Sequence, residues 1–98
     1  MAAYVVVESR VSDPERYKAY AALAEQSIAE AGGRYLARGG ATETLEGDWA
    51  PPRVVVLEFA DVDTARRWYE SESYRAARAA RAGAAELQMV LVEGVPPS

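Results

Sequence analysis

Arg53-Val54-Val55-Val56-Leu57-Glu58-Phe59 is the stretch whose reading decides the fold. Val54 to Leu57 are four consecutive apolar residues that favour β structure, with no alternation between core and water. A strand made of them predicts burial on both faces. Helices of the same chain can cover one face. The other needs a further layer, which a second copy of the chain would supply.

The chain has 98 residues, which predicts a single domain over 1–98 with its core between residues 3 and 94. Half of the residues are hydrophobic and 27% are charged, the balance of a folded globular protein. A formal net charge of −4 opposes attraction to nucleic acid or to an anionic membrane surface. No run approaches the length of a membrane span, and Tyr4 to Val7 is too short for a signal-peptide core, so the expected location is cytoplasmic. The sequence contains neither cysteine nor histidine. That removes disulfides, thiolate nucleophiles, the usual zinc sites, the Ser-His-Asp triad and a histidine-ligated haem. The expected cofactor is none, neither metal nor haem. Acid and base chemistry is left to carboxylates, tyrosines and the single lysine, Lys18.

Working outward, Ala3 to Arg10 reads as a first strand around Val5-Val6-Val7. Asp13-Pro14 then starts a helix, with Asp13 as N-cap and Pro14 where no amide is needed; Ser12 with Glu15 is an alternative capping box. Tyr17, Tyr20, Ala21, Ala24, Ile28 and Ala31 form its apolar face, and Gly32-Gly33 ends it. Arg34 to Arg38 is a half-polar strand, Gly39-Gly40 permits a bend or bulge, and Thr42 to Glu46 is a polar, edge-like piece. After Phe59, Asp61 or Asp63 caps a second helix carrying Ala65, Trp68 and Tyr69. Ser71 or Ser73 recaps a further stretch with Tyr74, Ala76 and Ala77, ending at Gly83. Leu87 to Val92 is the last strand, before a Pro96-Pro97 tail.

A shift of fifty residues lays Val5-Val6-Val7-Glu8 on Val55-Val56-Leu57-Glu58 and Asp13 on Asp63. The chain is therefore two strand, helix, strand units, which predicts an α+β ferredoxin-like βαββαβ sandwich with an antiparallel sheet and both helices on one face. Because the first, third and fourth strands are apolar on both faces, the expected partner is a second copy, giving a dimeric α+β barrel.

From Tyr4 to Gly94 the sequence resembles a small bacterial family called domain of unknown function 1330, within the dimeric α+β barrel superfamily. The resemblance rests on Asp13-Pro14 with Tyr17 and Tyr20, Gly32-Gly33-Arg34, Arg38-Gly39-Gly40, Glu46-Gly47 with Trp49, Arg53, Glu58-Phe59, Ala65 with Trp68-Tyr69, Ser71, Tyr74, and Val90 to Gly94. Superfamily relatives include cofactor-free antibiotic-biosynthesis monooxygenases, muconolactone isomerases, haem proteins and ligand domains of transcription factors, so the fold does not choose an activity.

Three sets of residues are candidates for chemistry. Arg38 with Gly39 and Gly40, followed by Trp49 and Arg53, could hold a carboxylate: glycines admit backbone amides, and an arginine fork makes two parallel bonds. Their plainer reading is a bulge, a turn and an ion pair. Glu8 and Glu58 end their valine runs at equivalent repeat positions, and Glu58 is the candidate base if it faces the interior. A salt bridge to Arg10, Arg38 or Arg53 is the alternative. Trp68, Tyr69 and Tyr74 are either a pocket wall or ordinary core. Arg75, Arg78 and Arg81 read as a solvated stripe. The functional expectation is a homodimer that binds or transforms a small hydrophobic or aromatic organic acid in a cleft between sheet and helices. A non-catalytic ligand sensor or scaffold is its rival.

Overall fold

The computed structural model describes residues 1–96. Its elements are β1 (Ala3–Val11), α1 (Pro14–Glu30), β2 (Arg34–Arg38), β3 (Val54–Phe59), α2 (Val62–Glu70), α3 (Glu72–Ala80) and β4 (Ala85–Glu93). The strands make one antiparallel sheet in the order β2-β3-β1-β4. That is the α+β ferredoxin-like arrangement, with the second helix broken in two.

Each helix starts where a side chain satisfies an orphan amide. Asp13 accepts from the Arg16 amide at 3.2 Å, with Pro14 in the first turn, and Asp61 accepts from the Thr64 amide at 2.7 Å. Gly32, at φ 75°, closes α1: its amide donates to Ala29 and the Gly33 amide to Ile28, so two terminal carbonyls are capped. Ser71 ends α2 and starts α3. Its hydroxyl donates to the Trp68 carbonyl at 2.7 Å and accepts from the Tyr74 amide at 3.1 Å. In an unbroken helix, residues six apart would point about 120° apart round the axis. The break instead lets Trp68 and Tyr74 face the core together, ring centroids 4.2 Å apart.

The side chains facing the helices are Ala3, Val5, Val7 and Ser9 from β1, Val55, Leu57 and Phe59 from β3, and Leu87, Met89 and Leu91 from β4. Tyr20, Ala24 and Ile28 of α1, Ala65 and Trp68 of α2, and Tyr74 and Ala77 of α3 close the core over them. The intervening residues, Tyr4, Val6, Val54 and Val56 with Val90 and Val92, form an outer face that no helix covers. Val90 is 63% and Val92 47% exposed. Burial on both faces is therefore not achieved within one chain.

Two local expectations are refined. Of the bend or bulge expected at Gly39-Gly40, the bend is there, with Gly39 at φ 72°, while the bulge lies at Leu36, where the register of β2 against β3 slips between Tyr35 and Ala37. Thr42 to Glu46 adds no strand; residues 39–53 run as an irregular arm. Of the anticipated Pro96-Pro97 tail, Pro97 lies outside the described residues.

Gly33 is small for a steric reason. A Cβ there would lie 2.6 Å from Cε1 of Phe59, a ring only 1% exposed. Gly33→Ala should destabilise by about 1–3 kcal/mol, the cost of overpacking, lowering the melting temperature by roughly 4–8 °C per kcal/mol. An unchanged melt would mean the Phe59 ring can step aside.

Candidate functional site

The bulge at Leu36 matters because strand side chains alternate. Arg34 pairs across from Glu58 on the outer face and Tyr35 across from Leu57 on the inner face. One extra residue then places Ala37 against Val56, outside, and Arg38 against Val55, inside. Without the slip, Arg38 would share the face of Arg34. Its guanidinium instead lies 4.2 Å from the Tyr35 ring centroid and donates from Nη1 to Glu25 Oε1 of α1 at 3.2 Å. The Glu25 hydrogen bond raises the pKa of Arg38 above its ordinary value, so it is a permanent cation.

Arg53, just before β3, joins it from the neighbouring strand. Its guanidinium sits beside Gly39, where a Cβ would collide with it, and 5.9 Å from the Tyr17 ring centroid. Gly39 has φ 72°, and its amide donates to the Val54 carbonyl at 2.9 Å, which holds the turn close under Arg53. Among the described residues the buried Arg53 Nε has no hydrogen-bond partner. An unpaired buried donor on a cation is costly and marks a place where an acceptor is wanted. Nearby, Ser9, 1% exposed, shares a 3.3 Å hydrogen bond with the Tyr17 hydroxyl.

Arg38, Arg53, Ser9, Tyr17 and Tyr35 line one cavity between α1 and the sheet, floored by Val7, Val55 and Leu57. Its volume is about 30 Å³, room for a water-sized group. No carboxylate lines it among the described residues.

Behind it lies the aromatic core. Trp68 packs on Phe59 at 5.1 Å between ring centroids and donates from Nε1 to Ser27 Oγ at 3.0 Å; Ser27 in turn donates to the Ala24 carbonyl. Tyr20 and Tyr74 share a 2.7 Å hydroxyl hydrogen bond, and Arg81 Nη1 donates to the Tyr74 oxygen at 3.0 Å. Burial raises the pKa of both tyrosines, so both stay neutral in ordinary buffers. Trp68 and Tyr74 are thus satisfied core residues, and of the two only Trp68 also lines the cavity. Arg78 and Arg81, read from sequence as part of a solvated stripe, instead fold over Tyr69 at 4.4 Å and Tyr20 at 5.1 Å.

The remaining candidates are elsewhere. Glu8 and Glu58 do share a face with Val6 and Val56, but it is the outer one. Glu58 accepts from Arg34 Nε at 2.6 Å and cannot reach the cavity as a base. Glu8 accepts from Trp49 Nε1 at 2.8 Å and lies 3.7 Å from Arg10. Trp49 therefore belongs to the outer face with the arm, and Gly40 lines a surface recess of that arm. The structure brings together Arg38, Gly39 and Arg53 with Trp68 deeper in; it separates Glu58, Trp49 and Gly40 from them. Sequence reading missed Ser9 and Tyr35. A serine ending a run of inward valines was the available signal for the first.

A family model described as Domain of unknown function (DUF1330) matches residues 2–95. No curated protein matches the chain by sequence. A protein of unknown function from Rhodopseudomonas palustris superposes with a TM-score of 0.76 at 19% identity, over 98% of this chain and 84% of that one. SnoaB, a cofactor-independent oxygenase from Streptomyces nogalater, gives 0.65 at 15% identity over 98% and 95%. A dimeric protein of unknown function with a ferredoxin-like fold from Bacteroides fragilis gives 0.56 at 15% over 95% and 96%. At these identities the likeness is one of fold.

Glu58→Gln tests the placement directly. The Arg34–Glu58 pair is partly solvated, with side chains 70% and 23% exposed, so the substitution should cost less than about 1 kcal/mol in chemical denaturation. A loss of several kcal/mol would show a carboxylate far more buried than it is on the outer face of a single chain.

Proposed function

The chain belongs to the DUF1330 family, and we propose that it binds a small hydrophobic or aromatic organic acid between sheet and helices, without metal or haem. The observation that carries the reading is the buried, partnerless Nε of Arg53, beside a second inward-turned arginine and two hydroxyls. Two cations with no lining carboxylate suit a ligand carboxylate, held by charge-assisted and forked hydrogen bonds. The space now admits only a water-sized group, so the site must open. The mouth is the Arg38–Glu25 pair, with side chains 39% and 60% exposed. Such a pair is worth only about 0–1 kcal/mol, so a ligand carboxylate displaces Glu25 at little cost and its apolar body lies along Tyr17 and Tyr35.

A ligand-sensing role without chemistry is the second reading. It is favoured by the lack of a lining carboxylate among the described residues and by the neutral state of Tyr20 and Tyr74. Cofactor-free oxidation, as named for the Streptomyces nogalater protein, suits the site only for a ligand acidic enough to ionise on its own.

A homodimer forms part of the same proposal. The uncovered outer face carries Tyr4, Val6, Val56, Val90 and Val92 in one apolar field, and a second copy of that face is its simplest cover. The protein is then a one-domain cytoplasmic dimer with a site in each chain.

Two experiments check this reading. In a thermal-shift screen of aromatic and aliphatic acids, saturating ligand should raise the melting temperature. Arg38→Ala should abolish the shift, while Glu25→Gln, which removes the internal competitor, should tighten binding several-fold. A shift that survives Arg38→Ala would contradict the site. For the assembly, Val90→Glu should convert a sedimenting dimer to monomer; a wild-type monomer at micromolar concentration would refute the dimer.

A further inference from the structure

The helical layer leaves part of the sheet's inner face open at its β4 edge. Leu87, Met89 and Leu91 are only partly buried there. Beside them, Trp68 and Tyr69 of α2 form a second wall, and the groove between has a volume of about 310 Å³, at the lower end of the roughly 300–1,000 Å³ typical of small-molecule sites. The charged residues that line it are Arg66, Arg81 and Glu70. Among the described residues neither arginine is within salt-bridge distance of a carboxylate. Arg81 spends one nitrogen on the Tyr74 hydroxyl, and a guanidinium has five N–H donors. Arg78 adds a third positive charge next to the groove, held over the Tyr69 ring. In a protein of net charge −4, an apolar trough bordered by unpaired arginines has a definite complement.

We propose that the groove between β4 and α2 is a separate binding site for an amphipathic organic monoanion, an aromatic or aliphatic body with one anionic group. The body lies on Leu87, Met89 and Leu91 against the Trp68 indole; the anion meets Arg66 and Arg81. Trp68, Leu87 and Met89 also border the Arg38 cavity, but the cationic anchors of the two spaces are different residues on different elements. The groove can therefore fill whether or not the Arg38 cavity is occupied.

The probe for the test is 8-anilinonaphthalene-1-sulfonate, with uncharged N-phenyl-1-naphthylamine as control. The chain has two tryptophans, so Trp49→Phe leaves Trp68 as the energy-transfer donor. The expected result is one sulfonate probe per chain, excited through Trp68, weakened at least fivefold by Arg66→Ala and by Arg81→Ala. The uncharged probe should bind at least fivefold more weakly. Arg66 is exposed, so its variant carries the test if loss of Arg81 perturbs folding. Equal binding of both probes, indifference to Arg66→Ala, or loss of binding in Val90→Glu would overturn the groove; the last would place the probe on the outer face. Loss in Arg38→Ala with retention in Arg66→Ala would also overturn it, while leaving the Arg38 reading intact. Retention in Arg38→Ala together with loss in Arg66→Ala supports the groove whatever the fate of that reading.

Discussion

Successive side chains of a strand project to opposite faces, and here that alternation divides one sheet into two surfaces with different work. On β3, Val55, Leu57 and Phe59 build the core under the helices, while Val54, Val56 and Glu58 are left outside. The pairing with β1 propagates the same parity, so Val5, Val7 and Ser9 go inward and Tyr4, Val6 and Glu8 outward. A slip of one residue in β3 would exchange both surfaces. The buried Phe59, wedged against Gly33 and Trp68, fixes the register against that slip.

The one departure from strict alternation among the described residues is where two cationic side chains gather. The extra residue at Leu36 reverses the parity of β2 beyond it and turns Arg38 from the face of Arg34 to the face of Tyr35. Arg53 arrives at the same end of the sheet from the next strand, over a glycine that leaves it room. Two guanidinium groups are thus concentrated under α1, one held by Glu25 and the other with a buried donor unused. Glu58 follows the inward Leu57 by one position and so points outward, kept from the cavity by the same rule.

Much of the fold was legible because each element carries its own local signal. Asp13-Pro14, Gly32-Gly33 and Ser71 mark helix ends through hydrogen bonds suited to those residue types, and the repeat of valine runs fixes the strand count. The apolar character of both faces of β3 was also readable, although a single chain covers only one. The site was less legible, since it turns on parity. Arg38 and Arg53 were identifiable as candidates for holding an anion, but no glycine or proline in Arg34 to Arg38 announces the bulge. Glu58 was misplaced because four consecutive apolar residues hide which of them face the helices. The arginine stripe was misread in part for a similar reason: Arg75 is exposed as expected, but Arg78 and Arg81 turn back over Tyr69 and Tyr20, contacts set by tertiary packing and invisible to helical spacing.

The central claim is that Arg38 and Arg53 share one anion-binding interior while Arg34 stands outside it. Side-chain Nε–Hε resonances of the arginines, followed by NMR during titration with an aromatic acid that raises the melting temperature, test it most directly. The account predicts that the Arg38 and Arg53 signals move together and saturate with one dissociation constant, with the Arg34 signal unmoved in its pair with Glu58. A titration that shifts Arg34, or leaves Arg53 untouched at saturation, would contradict it.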